Sequence, residues 1–74
     1  MTQNKIIEAM VATIPYPDQI ENIDLSSKGN VGFDWRSTRF RVNSTLMVME
    51  IEGNFETGSN ISMLMSALLK SHRR

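Results

Sequence analysis

The chain has 74 residues, of which eight are lysine or arginine and eight are aspartate or glutamate, so its formal net charge is zero. This length fits one small domain, and we take residues 1–74 as that domain. The balanced charge argues against a protein that coats nucleic acid or a membrane surface by bulk charge. Because the sequence contains no cysteine, it excludes disulfide bridges, thiolate zinc sites and a cysteine nucleophile.

A helix is predicted over residues 3–14. Thr2 suits its N-cap, and Pro15 ends it because a residue before proline is disfavoured in the helical region. The apolar residues of this segment cover an arc of roughly 140° on a helical wheel, and they are Ile6, Ile7, Met10, Val11 and Ile14.

Alternation of apolar and polar residues predicts antiparallel strands in the middle of the chain. The apolar positions of these strands are Ile23 and Leu25, then Val31, Phe33 and Trp35, then Phe40 and Val42, then Met47, Met49 and Ile51. Two-residue turns at 37–38 and 43–44 place the apolar side chains of both hairpins on one face, as a half-buried antiparallel sheet requires. The segment Gly53–Gly58 is interpreted as a loop.

A second helix is predicted over residues 60–71, with Ser59 or Asn60 as its N-cap. Its apolar arc is about 200° wide, whereas a helix packed on one sheet needs a stripe of roughly 100°. The excess indicates either that part of this helix contacts another chain, which we favour, or that the helix is buried deeply beside the first helix on the same face of the sheet.

These elements predict an α+β fold, in which an antiparallel meander of three or four strands carries the N- and C-terminal helices on one face. The predicted core comprises Ile6, Met10, Ile14, Phe33, Trp35, Phe40, Val42, Met47, Met49, Ile51, Leu64 and Leu68.

We predict a non-catalytic protein-interaction module or small regulatory subunit, acting as a homodimer or within a larger assembly. Domains below about 80 residues commonly need disulfides, metals or oligomerisation to be stable, and disulfides are absent here. The contact would be made by the last helix or by apolar residues on the outer face of the sheet. The candidate interface residues are Leu46, Val48, Met63, Met65 and Leu69.

The alternative is a small regulatory protein that binds nucleic acid, a partner that the sequence allows but does not favour. Arginines interleave with aromatic residues in the middle of the chain, and basic residues recur at its C-terminus. The phosphate-contacting candidates are Arg36, Arg39, Arg41, Arg73 and Arg74. By strand parity, however, the arginines of the sheet face away from the aromatic rings, so base stacking and phosphate contact would not converge.

The sequence contains no recognisable catalytic motif, so we do not expect an enzyme, and we expect neither a cofactor nor a metal. The single histidine, His72, is too little for a zinc site without cysteine. The longest apolar runs are far shorter than the roughly 20 residues of a membrane span, and the N-terminus lacks the apolar block of a signal peptide. The expected location is therefore the cytoplasm.

Overall fold

The computed structural model describes residues 2–72, apart from the side chain of His72. The elements in chain order are α1 (Gln3–Thr13), a turn of 3₁₀ helix (Pro17–Gln19), β1 (Ile20–Asp24), β2 (Val31–Trp35), β3 (Thr38–Val42), β4 (Met47–Ile51), β5 (Asn54–Asn60) and α2 (Ile61–His72). The strands form one sheet in the order β1-β2-β3-β4-β5, and every neighbouring pair is antiparallel. The α+β class is confirmed, whereas the predicted strand count of three or four is wrong.

Both helices start at polar caps, as the sequence indicates. The hydroxyl oxygen of Thr2 accepts a hydrogen bond from the backbone N–H of Lys5 at 3.3 Å. The side-chain oxygen of Asn60 accepts one from the N–H of Ser62 at 2.9 Å, so β5 passes into α2 without a loop. These bonds satisfy N–H groups that have no partner within a helix.

The β2–β3 hairpin turns one residue earlier than predicted. Phe33 pairs with Phe40 and Trp35 with Thr38, so the turn is Arg36-Ser37. Both turn residues have positive φ, as a type I′ turn requires. The pairing moves by two positions, which preserves the face of every side chain, and Phe33 stacks on Phe40 with ring centroids 5.3 Å apart.

The β3–β4 connection corrects the predicted face of β4. The loop between Val42 and Met47 contains four residues and ends at Leu46, whose φ is 58°. Val42 pairs with Val48 and Arg41 with Glu50. Met49 of β4 therefore forms a β-bulge and has no partner residue on β3. Val48 consequently faces the core, where the simple alternation had placed Met47 and Met49.

The first strand also differs from the prediction. β1 starts at Ile20, which packs against the core, while Ile23 and Leu25 are largely exposed. The cause is an irregularity between Glu21 and Asp24, where Asn22 has a φ of 50°. A bulge of this kind interrupts the alternation on which the prediction rested.

The segment predicted as a loop, Gly53–Gly58, is mostly strand β5. Ile51 pairs with Asn54 across a two-residue turn in which both Glu52 and Gly53 have positive φ. The strand contains one large apolar residue, Phe55, and therefore lacks the alternation by which strands are recognised.

One hydrophobic core joins the sheet to both helices. Its buried members are Ile6, Met10 and Ile14 from α1 and the residue after it, Val31, Phe33, Trp35, Phe40, Val42 and Val48 from the sheet, and Ile61 and Met65 from α2. The indole N–H of Trp35 donates a hydrogen bond to the carbonyl oxygen of Pro15 at 3.1 Å, which satisfies the polar atom of this buried ring. The predicted core residues Met47 and Met49 are only half-buried and do not belong to this cluster.

The β4–β5 turn provides a test of the fifth strand. Glu52→Asn creates an Asn-Gly turn, and asparagine tolerates positive φ better than glutamate does. We expect the free energy of unfolding to rise by about 0.5–1 kcal/mol, because an ordinary residue loses about 1–2 kcal/mol in the left-handed region.

Urea denaturation measures this change, with Glu8→Asn on the exposed face of α1 as the control. The control removes a good helix former and should lower stability slightly. If Glu52→Asn gave no gain, the turn would not be held in this conformation.

Candidate functional site

The outer face of the sheet carries a network of ion pairs centred on Arg39. Its guanidinium group contacts a carboxylate oxygen of Asp34 at 3.1 Å and one of Asp24 at 3.5 Å, and it donates to the carbonyl oxygen of Asn22 at 2.8 Å. The side-chain amide of Asn22 donates to the second oxygen of Asp34 at 2.8 Å. One arginine therefore joins β1, β2 and β3 on this face.

Gly32 leaves the space that Arg39 needs to reach Asp24. A Cβ atom at Gly32 would lie 3.2 Å from a terminal nitrogen of Arg39 and 3.3 Å from Cβ of Asp24. Both distances are tighter than ordinary van der Waals contact. A side chain here would therefore push the guanidinium group away from the end of β1.

Arg41 is also engaged within the chain. Its Nε lies 3.5 Å from a carboxylate oxygen of Glu50, and Nη1 donates to the hydroxyl of Ser27. Nε is buried and makes no hydrogen bond within the described part of the chain, so Glu50 compensates its charge by proximity. Such half-exposed pairs contribute about 0.2–1 kcal/mol each to stability, and their main effect is to compensate the charges on the outer face of the sheet.

Arg36 lies against aromatic rings at the end of the sheet. Its guanidinium carbon is 5.1 Å from the ring centroids of both Tyr16 and Trp35, and Nε donates to the side-chain oxygen of Gln19 at 2.8 Å. Arg36 and Tyr16 both have positive φ, which is unusual for these residue types. The cation–π contacts and the hydrogen bond stabilise this turn, which lacks the usual Asn-Gly sequence.

A cleft of about 380 Å³ opens beside this turn, lined by Gln19, Glu21, Asp34, Arg36 and Ser37. Small-molecule sites are mostly apolar with a few placed polar groups, whereas every lining residue here is polar. Asp34 and Arg36 already have partners inside the chain. The cleft therefore does not have the lining of a small-molecule site.

The structure separates the arginines predicted to contact phosphates. Arg36 packs at the turn, while Arg39 and Arg41 lie on the outer face and pair with acidic residues. Arg73 and Arg74 lie outside the described residues. The described arginines therefore do not form an uncompensated basic patch.

Most of the predicted interface residues are used within the chain. Val48 and Met65 are buried in the core, and Leu46 and Leu69 pack against it. The expectation that Leu46 and Val48 lie on the outer face is wrong, because the bulge at Met49 turns Val48 into the core and Leu46 lies in the loop before β4. The wide apolar face of α2 likewise serves the chain's own core, since Leu64 and Leu68 join Leu69 there.

Two large apolar side chains remain uncovered near the β5 side of the molecule. Met63 on α2 is 74% exposed, and Phe55 on β5 is 89% exposed. A groove of about 270 Å³ lies between the end of β5 and the start of α2, lined by Gly58, Ser59, Asn60, Met63 and Leu64. We call Phe55 together with these five groove residues the β5 edge surface.

Sequence reasoning missed Phe55 because it fell in a predicted loop. The available signal was a lone aromatic residue in a polar segment that starts with Glu52-Gly53 and ends at a helix cap. A Gly-containing pair after an alternating strand is a hairpin signal, and a hairpin makes Phe55 part of an edge strand.

Among residues 2–72, no three His, Cys, Asp or Glu side chains are grouped so as to hold a metal ion. Neither helix, in the part of the chain that the structure describes, is long and apolar enough to cross a membrane.

Comparison with known proteins assigns the chain to no family. No protein-family model matches the sequence, and neither the curated proteins nor the solved structures include a significant match.

The pKa of Asp34 tests the ion-pair network. The hydrogen bond from Asn22, and then that from Arg39, holds this pKa below its ordinary value of 3.8. Its ionised form thus stabilises the fold above that value, and the contribution is lost as the pH falls through the lowered pKa. We expect Asn22→Gly, which suits the φ of 50° at this position, to raise the pKa of Asp34 and to reduce the loss of stability in acid.

Carboxyl-carbon NMR titration measures this shift, and Asp24 serves as the internal control. The pKa of Asp24 is lowered mainly by hydrogen bonds from the hydroxyl and backbone N–H of Ser26. It should therefore stay the same in the variant. An unchanged pKa at Asp34 would contradict the network.

Proposed function

We propose that this chain is a non-catalytic protein-interaction module that binds its partner through the β5 edge surface. The observation that carries the proposal is Phe55, which is 89% exposed on a strand at the edge of the sheet. Aromatic residues are enriched in the centres of protein interfaces, where one ring removes about 150–250 Å² from water. Nothing in the internal packing of the chain accounts for a phenylalanine at this position.

Met63 and the groove extend the surface beyond the strand. The flexible thioether side chain of methionine adapts to irregular partners, and Met63 is 74% exposed. Gly58 leaves one wall of the groove without a side chain, next to Ser59 and Asn60. An apolar centre with polar neighbours is the usual composition of a non-obligate interface.

The chain buries about as much of its surface as a compact monomer of its mass does. The accessible surface is 4844 Å², close to the ~4,600 Å² that area scaling gives for a compact monomer of 8.4 kDa. The core cluster draws on both helices and on β2, β3 and β4. We therefore propose association between chains that are already folded.

The nucleic-acid alternative receives less support from the geometry. Phosphate binding needs cations that are free to exchange counterions, whereas Arg39 and Arg41 each face a carboxylate in their own sheet. An enzyme has equally little support, because the polar cleft lacks an enclosed apolar lining.

Site-specific photo-cross-linking in the native host tests the proposed function. We expect a photoreactive phenylalanine analogue at position 55 to form a discrete adduct with another polypeptide chain. The matched control carries the analogue at Ile23, which is 45% exposed on the opposite edge strand, and should give no discrete adduct.

Mass spectrometry of the adduct identifies the cross-linked chain, whether another protein or a second copy. No adduct at position 55, or equal adducts at 55 and 23, would contradict an interface on the β5 edge surface.

A further inference from the structure

The two edge strands of the sheet differ in how they are protected against pairing. β1 carries two carboxylates within five residues, at Glu21 and Asp24, and is bulged at Asn22. Two such edges would repel each other, which is a common way of preventing edge-to-edge association. β5 has a single charged residue, Glu56, whose carboxylate accepts a hydrogen bond from the hydroxyl of Ser59 at 3.2 Å.

The free backbone groups of β5 lie at its two ends. Residues that flank a two-residue hairpin turn bond to each other, so Asn54 faces Ile51 and Phe55 directs its own N–H and C=O away from β4. At the other end, the N–H of Ile61 donates to the carbonyl oxygen of Leu46 at 3.0 Å, so the preceding residue, Asn60, faces away from β4. The N–H of Asn60 is therefore directed outward, while its C=O accepts the first bond of α2 as the N-cap carbonyl and keeps a second lone pair for an incoming donor.

The bulge between these ends brings them to the same side of the sheet. Phe55 pairs with Glu50, and Asn60 pairs with Met47, and both partners lie opposite the core side. In a regular strand, residues five apart would lie on opposite faces. The irregularity between Val48 and Glu50 removes that difference, so the two free positions share one face.

We infer that the partner of the β5 edge surface is a second copy of this chain, joined through antiparallel β5 strands with Phe55 of each copy opposite Asn60 of the other. This inference rests on the proposed function. The arrangement is isologous, because both contacts are the same under a two-fold axis, and it closes as a dimer. The bulge confines the backbone pairing to the two ends of the strand.

The small area of this contact sets the strength of the dimer. A standard interface buries about 800 Å² on each partner, which is a large share of the 4844 Å² that the chain exposes. An edge of seven residues with one aromatic ring provides less than that. We therefore expect a reversible dimer that forms with rising protein concentration and dissociates on dilution.

Sedimentation equilibrium of the full chain between about 10 µM and 1 mM tests the inference. We expect the average mass to rise from the monomer towards the dimer. Phe55→Glu places a carboxylate at the paired edge and should weaken the dimer at least about tenfold. Ile23→Glu makes the same change at the opposite edge and should leave the dissociation constant unchanged.

We expect circular dichroism to show that both variants remain folded, because both side chains are exposed. A wild-type chain that stays monomeric at 1 mM would overturn the inference, and so would equal effects of the two substitutions. A monomeric chain that still cross-links from position 55 to a different protein would overturn the second copy as partner but leave the proposed function intact. Absence of both dimer and cross-link would overturn both.

Discussion

The structure depends on covering the apolar residues of a five-stranded sheet from one side only. Phe33, Trp35 and Phe40 all lie on that side, and they are buried together with side chains from both helices. Every irregularity of the sheet has to be compatible with this single core. The bulge at Met49, for example, turns Val48 into the core although strict alternation would place it outside.

The same constraint explains which residues remain available for function. The apolar face of α2 looks too wide for one sheet, yet Leu64, Leu68 and Leu69 all pack against the chain's own core. On the outer face of the sheet, Arg39 and Arg41 form ion pairs with acidic residues of the same chain. Of the large apolar side chains described, Phe55 on β5 and Met63 on α2 are the most exposed, and this is why we place the interaction surface at the β5 edge.

The sequence predicts faces better than it predicts pairing. The faces of β2 and β3 are correct because period-two alternation survives a pairing error of two positions. The irregularities at Asn22 and Met49 have no signal in the alternation itself, so the alternation gives neither the exposure of Ile23 nor the inward face of Val48. The fifth strand was missed because most of its residues are polar, and with it the exposed position of Phe55, the centre of the candidate site.

Amide hydrogen exchange followed by NMR at low and high protein concentration tests the central claim most directly. If β5 is the interface, the amide of Phe55 becomes protected as the concentration rises, because its N–H gains a partner. The amide of Ile23 on the opposite edge strand then exchanges at the same rate at both concentrations. Exchange at Phe55 that is independent of concentration, or protection that appears at Ile23 instead, would contradict pairing of two copies through β5.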